Sequence, residues 1–518
     1  MRFTDKIRLE NNKNKKINNA IKKISVAEMY FICSTIVFII LLILAEFNIT
    51  SVNMWKITTV IICVLNCVLS YISEKNMTFI VVFNATYMLF LSGLVMADLI
   101  GNINFAQTNF FTGYMFNSNI QVEALKYIIV GSLGLNFGYV IYSMCKNGGK
   151  RKSKLKENFI EKFNIDFTFI GIVLMAIGIL PNVFNIYRRI SISKEHGYTA
   201  LFNTELVNSY SIPLSGLIPI FTIGVYMILS TSKNKKTIIT TIAIQILIIV
   251  LSLLTGERAV AFSQILTIIV YIALKFSVKI RVRDIIVIGL ILGILGQIIS
   301  YSRIGEIENN NIFNKLVDFI GSQGVAIHVV MYTIEHENDF EKATKPLYLV
   351  SPITNMVKHN SISTKIFNTP IVYGRTEKYA NSMYSLPHKI SYIVNKDLYA
   401  LGNGLGGSYI AELFLVGGAL AIFIGSSILS ILICWLYDIC RKSNLILYST
   451  LNSISFIFLS PRGSYLEFVP IFIKSLIVYI FIWGIYIYIK KFKVDSKIVE
   501  IIGKINNSIR VSDKINKR

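Results

Sequence analysis

The chain has 518 residues, of which 53% are hydrophobic, and its mean hydropathy is +0.59. This composition excludes a soluble globular protein of the same length. The formal net charge is +23, from 52 Lys and Arg against 29 Asp and Glu. Most basic residues fall in short segments between apolar runs, so we interpret the charge as a signal of membrane orientation and not of nucleic-acid binding.

Apolar runs long enough to cross about 30 Å of hydrocarbon recur along the chain. They lack the alternation of a barrel strand, so we predict an all-α polytopic integral membrane protein with about 12 transmembrane helices. Residues 1–26, which precede the first run, are basic and Asn-rich and lack the cleavage site of a signal peptide. The predicted spans are 27–45, 52–72, 77–99, 121–144, 166–187, 211–230, 238–254, 259–276, 284–301, 406–437, 443–460 and 464–489.

When the predicted spans are crossed in order, clusters of Lys and Arg occur in nearly every second segment between them, and therefore on one side of the membrane. The positive-inside rule then places both termini in the cytoplasm, including the basic tail 490–518. Helices 1–9 occupy residues 27–301 and helices 10–12 occupy residues 406–489. We expect the chain to lie in the cytoplasmic membrane of a bacterium, with an attraction for anionic membrane lipid.

One long extracytoplasmic loop, residues 302–405, follows from this topology. Loops of such length are uncommon unless they have a function. The loop contains an apolar stretch, residues 313–334, that is interrupted by polar side chains. This pattern predicts an interfacial or re-entrant helix lying over the bundle.

Six arginines fall on the extracytoplasmic side, where the positive-inside rule does not favour them. The planar guanidinium group binds phosphate and carboxylate through paired hydrogen bonds. Several such groups on one face predict an anionic, membrane-linked substrate. The six are Arg188, Arg189, Arg258, Arg303, Arg375 and Arg462.

Three of these arginines, Arg258, Arg303 and Arg462, occupy short corners close to a glycine. Arg258 follows Gly256 and Glu257, and helix ends at such corners can offer N–H groups to an anion. The alternative for this corner is a Glu257–Arg258 ion pair that reaches the lipid headgroups and serves no substrate.

Ionisable side chains also occur inside or close to the predicted spans. Glu412 follows a glycine-rich stretch and lies about a turn and a half inside the tenth span, where a carboxylate is costly unless it is paired or lines a wet cavity. Removal from water makes a carboxylate a better proton acceptor, as a general base requires. The alternative for Glu412 is a salt bridge to an outer arginine or lysine. Lys474, in the last span, implies an internal cavity or a buried partner, and His388 is either a proton carrier or an inert surface histidine.

The sequence contains no zinc-protease, Walker or serine-hydrolase motif and no Asp-x-Asp or Asp-x-Asn pair in an outer loop. None of the six cysteines lies in the long loop. We therefore predict no cofactor and no metal site.

Four short segments carry a family resemblance: Gly256-Glu257-Arg258, Ser322-Gln323-Gly324, residues 404–412 continuing into Val416-Gly417-Gly418, and Pro461-Arg462-Gly463. They resemble the O-antigen and capsular polysaccharide polymerases (Wzy-type), relatives of the O-antigen ligases in the GT-C class of glycosyltransferases. The resemblance implies a GT-C-like bundle whose long extracytoplasmic loop carries short helices.

The resemblance also implies an activity. Such enzymes join oligosaccharide repeat units carried on undecaprenyl pyrophosphate at the outer membrane face, passing the growing chain to the non-reducing end of a new unit. A chain-length co-polymerase is an expected partner. An O-antigen ligase-like transferase and a lipid-linked oligosaccharide flippase or transporter are the alternatives.

Our hypothesis for the site follows from this activity. Arg258, Arg303 and Arg462 hold the pyrophosphate, and Glu412 is the base that activates a sugar hydroxyl. The remaining predicted substrate contacts are Gln323, Arg375, His388, Glu257, Arg188, Arg189 and Lys474.

Overall fold

The computed structural model describes five stretches of the chain. Among these residues the only β pairing is a single bridge between Gln107 and Met115. The five stretches are residues 26–46; 51–148 without 102 and 109–113; 165–201 without 198–199; 215–281 without 256–257, 277 and 280; and 312–491 without 361–362, 364 and 366–373.

The described residues form helices joined by short turns. In chain order the helices are α1 (Val26–Glu46), α2 (Val52–Glu74), α3 (Phe79–Ile100, with a π-helical turn at Met88–Ser92), α4 (Ser118–Gly148), α5 (Thr168–His196), α6 (Ile218–Thr231), α7 (Lys235–Leu253), α8 (Arg258–Phe276), α9 (Ile312–Gln323), α10 (Ala326–Glu335), α11 (Lys345–Lys358), α12 (Glu377–Ser382), α13 (Leu386–Val394), α14 (Lys396–Ala400), α15 (Tyr409–Cys440), α16 (Asn444–Leu459) and α17 (Phe468–Lys491).

Eight helices in the described part of the chain are long and apolar enough to cross a membrane, or nine if the bent pair α9 and α10 is one broken span. The prediction of an all-α polytopic membrane protein is confirmed. Helices α6 and α8 are shorter apolar helices, and the predicted span 284–301 lies outside the described residues. The total of about 12 spans therefore stays a prediction. The eight helices are α1, α2, α3, α4, α5, α7, α15 and α17.

The polar stretch that interrupts residues 313–334 produces a bend between two short helices. Helices α9 and α10 meet at an angle of 41° around Gly324. A Cβ placed on Gly324 would lie 2.0 Å from the backbone nitrogen of Leu94 in α3. The bend is therefore packed directly against a membrane helix, and the pair has the form of either a broken span or a re-entrant loop.

Helix α15 is not the continuous tenth span that the sequence predicted, because it breaks at Gly417 and Gly418. Gly418 has φ of +58° and ψ of −143°, and Gly417 has φ of −176° and ψ of +35°. Neither pair of angles belongs to a helix, and a positive φ with this ψ is open essentially to glycine alone. Hydropathy alone gave no sign of the break, because the apolar run continues on both sides of it.

The first half of α15, residues 409–416, runs antiparallel to α4. The ring of Phe414 packs 5.0 Å from that of Tyr127. Four residues further along α4, a Cβ on Gly131 would lie 2.6 Å from Ile410 Cδ1. The chain therefore runs in opposite directions in α4 and in this half of α15.

The second half, residues 419–440, runs parallel to α4. Gly134 lies against the carbonyl of Phe423, and at the far end Lys146 Nζ lies 2.7 Å from Asp438 Oδ2. At 1.5 Å per residue this half is about 33 Å long, which is enough to cross the hydrocarbon alone. Residues 409–416 are therefore a re-entrant half-helix that folds back along a complete spanning helix.

The hairpin within α15 sets the depth of the segment before it. Tyr409 Oη lies 3.2 Å from Ser426 Oγ, and Ser426 is seven residues, or about 10 Å, from the start of the second half. The residues 401–408, which we call the glycine loop, therefore enter the bundle to a depth of about 10 Å. We call the end of the bundle that carries residues 312–408 the loop face.

Close packing of α4 on α15 depends on glycine, as in membrane helix pairs generally. A Cβ on Gly138 would lie 2.2 Å from the carbonyl oxygen of Ser427, a backbone atom that cannot move aside cheaply. We expect Gly138→Ala to destabilise the protein by about 1–3 kcal/mol through overpacking. The measurement is the thermal unfolding midpoint of the purified protein in detergent.

Gly484 in α17 provides the matched control, because a Cβ there would meet nothing within 4 Å. Gly484→Ala should leave the midpoint unchanged or raise it slightly. Equal midpoints for Gly138→Ala and the wild type would contradict the packing described for α4 and α15.

Candidate functional site

Glu412 lies at the centre of the candidate site, in the re-entrant half-helix, and its exposed fraction is 0%. Its Oε2 accepts a hydrogen bond of 2.8 Å from the backbone N–H of Tyr465. The hydroxyl of Tyr465 donates to the carbonyl of Gly425, also at 2.8 Å. Tyr465 therefore joins the half-helix that carries Glu412 to the spanning half of α15.

The second oxygen of the same carboxylate, Glu412 Oε1, is buried and has no hydrogen-bond partner among the described residues. The hydroxyl of Ser408, which precedes the half-helix, and that of Ser460, in the turn that bears Arg462, are also buried and lack a hydrogen-bond partner among the described residues. Buried polar atoms in proteins are nearly always hydrogen-bonded. These three unsatisfied oxygen atoms, on the half-helix and the turn that packs on it, therefore indicate the site of a polar ligand.

The predicted alternative for Glu412 was a salt bridge. No Lys or Arg side chain that the structure describes lies within 4.0 Å of its carboxylate. The charged side chain that interacts with it electrostatically is another carboxylate, Glu467. The described surroundings thus give no support to a structural ion pair.

Arg462 and Gln323, which the sequence predicted as parts of one site, are in direct contact. Arg462 Nη1 donates to Gln323 Oε1 at 3.1 Å. Gln323 ends α9 and is only 4% exposed, whereas Arg462 is half-buried in the 3₁₀ turn Ser460–Arg462. This turn leads into Tyr465, so the backbone that binds Glu412 also positions the arginine.

The glycine loop packs against the same turn. A Cβ on Gly407 would lie 3.3 Å from the carbonyl carbon of Gly463 and 3.0 Å from Pro387 Cγ. Two backbones approach closely at this point because neither glycine has a side chain. The contact brings the start of α13, where His388 lies, beside the Arg462 turn.

Arg375 and His388 lie behind the glycine loop. Arg375 Nη1 donates to the carbonyl of Asn403, and its guanidinium lies 5.6 Å from the ring centre of Tyr399. His388 Nδ1 is 3.1 Å from the hydroxyl of Tyr399. Both residues were predicted as substrate contacts; the structure places Arg375 in contact with the glycine loop and His388 against Tyr399, just before the loop.

A cleft of about 300 Å³ opens next to Gln323 on the loop face. It separates the glycine loop from the segment that follows α3 and from the bend between α9 and α10. Polar groups from all three contribute to its walls. The lining residues include Gln107, Thr108, Ser322, His328 and Gly404.

Glu467 was not predicted as a site residue, although it lies close to Glu412. A Cβ on Gly463 would lie 3.3 Å from its Oε2. Burial raises the pKa of Glu467, and a backbone hydrogen bond from Ser464 partly offsets this effect. The only signal in the sequence was a carboxylate near the start of the last predicted span, 464–489.

Several predicted site residues lie elsewhere. The sequence placed Arg188 and Arg189 in an outer loop, but α5 continues through both to His196, and Arg189 lines a different cavity. Lys474 is exposed on α17, so the internal cavity or buried partner expected around it is not found.

The remaining predicted residues fall on parts of the chain that the structure leaves undescribed. Glu257 and Arg303 lie outside the described residues, and for Arg258 only the backbone, which begins α8, is described. In the described ranges there is no group of three or more His, Cys, Asp or Glu side chains arranged to hold a metal ion.

The fold and the site define a polytopic helical membrane protein with a polar site, built from a buried carboxylate and an arginine, at one end of its bundle. The family model of the O-antigen polysaccharide polymerase Wzy matches residues 29–493, and the chain therefore belongs to this family. The resemblance predicted from the sequence is confirmed. Comparisons with curated proteins and with solved structures give no match.

Membership in the family gives the general activity. It supports polymerisation of O-antigen repeat units, a glycosyltransferase-type reaction on lipid-linked oligosaccharides, by a multi-pass bacterial membrane protein. The geometry of the site is compatible with this chemistry, since it combines an acceptor for a proton with a donor for an anion.

The environment of His388 predicts a pH dependence of stability. Burial, followed by the charge of Arg375, lowers the pKa of His388 to about 4, whereas an unfolded histidine titrates near 6.5. The unfolded state therefore binds more protons below pH of about 6.5, and stability is lost as the pH falls from there towards about 4. We expect the free energy of unfolding of His388→Gln to fall less with decreasing pH than that of the wild type, by on the order of 2 kcal/mol.

The measurement is the free energy of unfolding in detergent at pH 7.5 and pH 4.5 for wild type and variant. His196→Gln, at an exposed histidine, serves as the control and should retain the wild-type dependence. An unchanged difference between the two pH values in His388→Gln would show that the ring is not held neutral.

Proposed function

We propose that this protein polymerises undecaprenyl-pyrophosphate-linked oligosaccharide repeat units into a surface polysaccharide, O-antigen or capsule, at the outer face of the cytoplasmic membrane. The observation that carries the proposal is the buried, unpartnered Oε1 of Glu412, next to the turn that bears Arg462. In this proposal the loop face is the outer face and both termini are cytoplasmic. The basic residues at the opposite end of the bundle, Lys146, Arg441 and Lys442, support this orientation.

The proposed reaction is a transfer between two lipid-linked chains. A hydroxyl at the non-reducing end of the new repeat unit attacks the anomeric carbon of the growing chain. The bond from that carbon to the pyrophosphate oxygen breaks, the pyrophosphate leaves with the electron pair on its lipid, and Glu412 Oε1 takes the hydroxyl proton. General-base assistance of this kind contributes about 10²–10⁴-fold to the rate.

Arg462 has the complementary role. Negative charge develops on the departing pyrophosphate, and a guanidinium fixed in a partly dry site stabilises it more than water does. Gln323 holds the guanidinium through the 3.1 Å hydrogen bond. Arg258 and Arg303 remain proposed contacts to the same pyrophosphate. Glu257, beside Arg258, remains a proposed substrate contact. The proposed reaction uses no metal ion.

The glycine loop and the cleft beside Gln323 provide the proposed path for the acceptor sugar. Arg375 and His388 keep the loop in place, and the polar walls of the cleft offer hydrogen-bond partners to hydroxyl groups. A ligase-like transferase would share this arrangement and differ only in its acceptor. A flippase would carry its cationic residues in a central cavity open to both sides, whereas Arg375 and Arg462 lie on the loop face, which favours transfer over flipping. A chain-length co-polymerase is the proposed protein partner.

The proposal is tested by deleting the gene in its host and complementing the deletion with variants. We expect the deletion to reduce the polysaccharide ladder on a gel to single repeat units and the wild-type gene to restore it. Glu412→Gln, which keeps the shape of the side chain but removes the base, should lower polymer yield about 100-fold. Glu377→Gln, at an exposed carboxylate of the same outer segment, should restore the full ladder.

Each contrary result identifies a different error. An unchanged ladder in the deletion strain would contradict the polymerase function itself. A full ladder with Glu412→Gln, at normal protein levels, would contradict the role of Glu412 alone. Loss of all surface glycan, with repeat units accumulating inside the cell, would indicate a flippase.

A further inference from the structure

A second polar cavity, separate from the Glu412 site, lies among α5, α6, α7 and α8. Its volume is about 200 Å³, which at about 30 Å³ per molecule equals roughly six or seven waters. It is thus too large to be the niche of one structural water. The polar residues that line it include Asn182, Asn185, Arg189, Thr222, Gln245 and Gln264.

Gln245 gives the strongest sign that this cavity binds a ligand. It lies in the middle of α7, one of the helices long and apolar enough to span the membrane, and its exposed fraction is 4%. Its Oε1 has no hydrogen-bond partner among the described residues. Polar side chains inside membrane helices are expensive and usually functional, so an unsatisfied amide directed into a cavity requires an explanation.

The cavity lies in the half of the bundle nearest the loop face. Phe262, two residues before Gln264, packs 5.5 Å from Phe319 of α9. Thr255 lines the cavity just beyond the end of α7, ten residues or about 15 Å along the helix from Gln245. The cavity therefore extends inward from the same face as the Glu412 site.

The chemistry of the lining selects the class of ligand. No Asp or Glu is present among the lining residues, and Arg189 contributes a positive charge. Guanidinium groups bind phosphate, whereas amides and hydroxyls both donate and accept hydrogen bonds, as sugar hydroxyls do. A ligand that carries phosphate beside sugar satisfies both parts of the lining.

The surroundings of the cavity also suit a lipid-linked ligand. Leu180 and Phe184 on α5, and Leu247 on α7, are large apolar side chains exposed on the outside of the bundle. Such surfaces face the hydrocarbon of the membrane. A polyprenyl tail can therefore lie along these helices while its head group occupies the polar cavity.

We propose that this cavity is a second substrate site, which holds the pyrophosphate and first sugar of one lipid-linked chain while the Glu412 site holds the other. The inference rests on the proposed function, because a transfer between two lipid-linked chains requires both head groups to be bound together. Arg189 contacts the pyrophosphate, and Asn182, Gln245 and Gln264 contact the pyrophosphate and the sugar attached to it.

The test is the stoichiometry of binding to the purified full-length protein in detergent, measured by equilibrium dialysis. The probe is a radiolabelled short-chain polyprenyl pyrophosphate without sugar. Wild type should bind two equivalents. Gln245→Met, which keeps the length of the side chain but removes its hydrogen bonds, and Arg189→Gln should each weaken one of the two equivalents about tenfold or more.

Two control variants isolate this site. Thr241→Val changes another buried side chain of α7, whose hydroxyl is bonded within its own helix to the carbonyl of Thr237, and it should retain two equivalents. Glu412→Gln should also retain two equivalents while its polymer yield falls about 100-fold. This second control separates binding at the cavity from catalysis.

The proposal is overturned if wild type binds a single equivalent, or if both Gln245→Met and Arg189→Gln retain two at wild-type affinity. It is also overturned if phosphatidylglycerol displaces one equivalent as effectively as unlabelled probe, because the cavity would then be a site for bilayer lipid. Two equivalents in a protein that makes no polymer with lipid-linked repeat units would instead contradict the proposed function and leave the two-site binding in place.

Discussion

The hydrogen bond from the backbone N–H of Tyr465 to Glu412 Oε2, 2.8 Å long, is the contact on which the candidate site depends. It fixes the re-entrant half-helix against the turn before α17 and occupies one carboxylate oxygen while leaving the other unpartnered. Because the donor belongs to the backbone, its position is set by the turn and not by a side-chain rotamer. The same turn carries Arg462, so the proposed base and the proposed anion contact are positioned together.

Glycine makes this arrangement possible at two places. The break at Gly417 and Gly418 allows residues 409–416 to fold back along α15, which brings Glu412 below the loop face instead of leaving it at a helix end. The close approach of Gly407 to Gly463 then seats the glycine loop on the Arg462 turn. A Cβ on Gly407 would lie 3.3 Å from the carbonyl carbon of Gly463, so a side chain there would push the loop slightly away from the turn.

The sequence was sufficient to predict the class of fold, the family, and three residues that the structure brings together. Hydropathy and charge are properties of segments, so they revealed the helices and their alternation. Glu412 stood out as a carboxylate inside a predicted span, Arg462 as an arginine at an outer corner, and Gln323 through the family resemblance. The Gly417–Gly418 reversal was missed because a helix that turns back on itself keeps the composition of one that continues.

Other features depend on tertiary contacts that no local pattern records. The cavity around Gln245 is formed by polar residues on four helices, from Asn182 on α5 to Gln264 on α8, which are scattered among apolar residues along the sequence. Arg188 and Arg189 were assigned to a loop because two adjacent charges usually end a span, whereas α5 continues past them. Lys474 was expected to be buried from its position along α17, but the face on which it lies is exposed.

The central claim is that Arg462 binds the pyrophosphate of one lipid-linked chain while Glu412 accepts the proton from a hydroxyl of the other. The most direct test is a cryo-electron microscopy map of the Glu412→Gln variant with lipid-linked repeat units bound as both substrates. The account predicts pyrophosphate density within hydrogen-bond distance of the Arg462 guanidinium and a sugar hydroxyl within about 3 Å of the side chain at position 412. A bound head group that contacts neither residue, in a map that resolves both side chains, would contradict it.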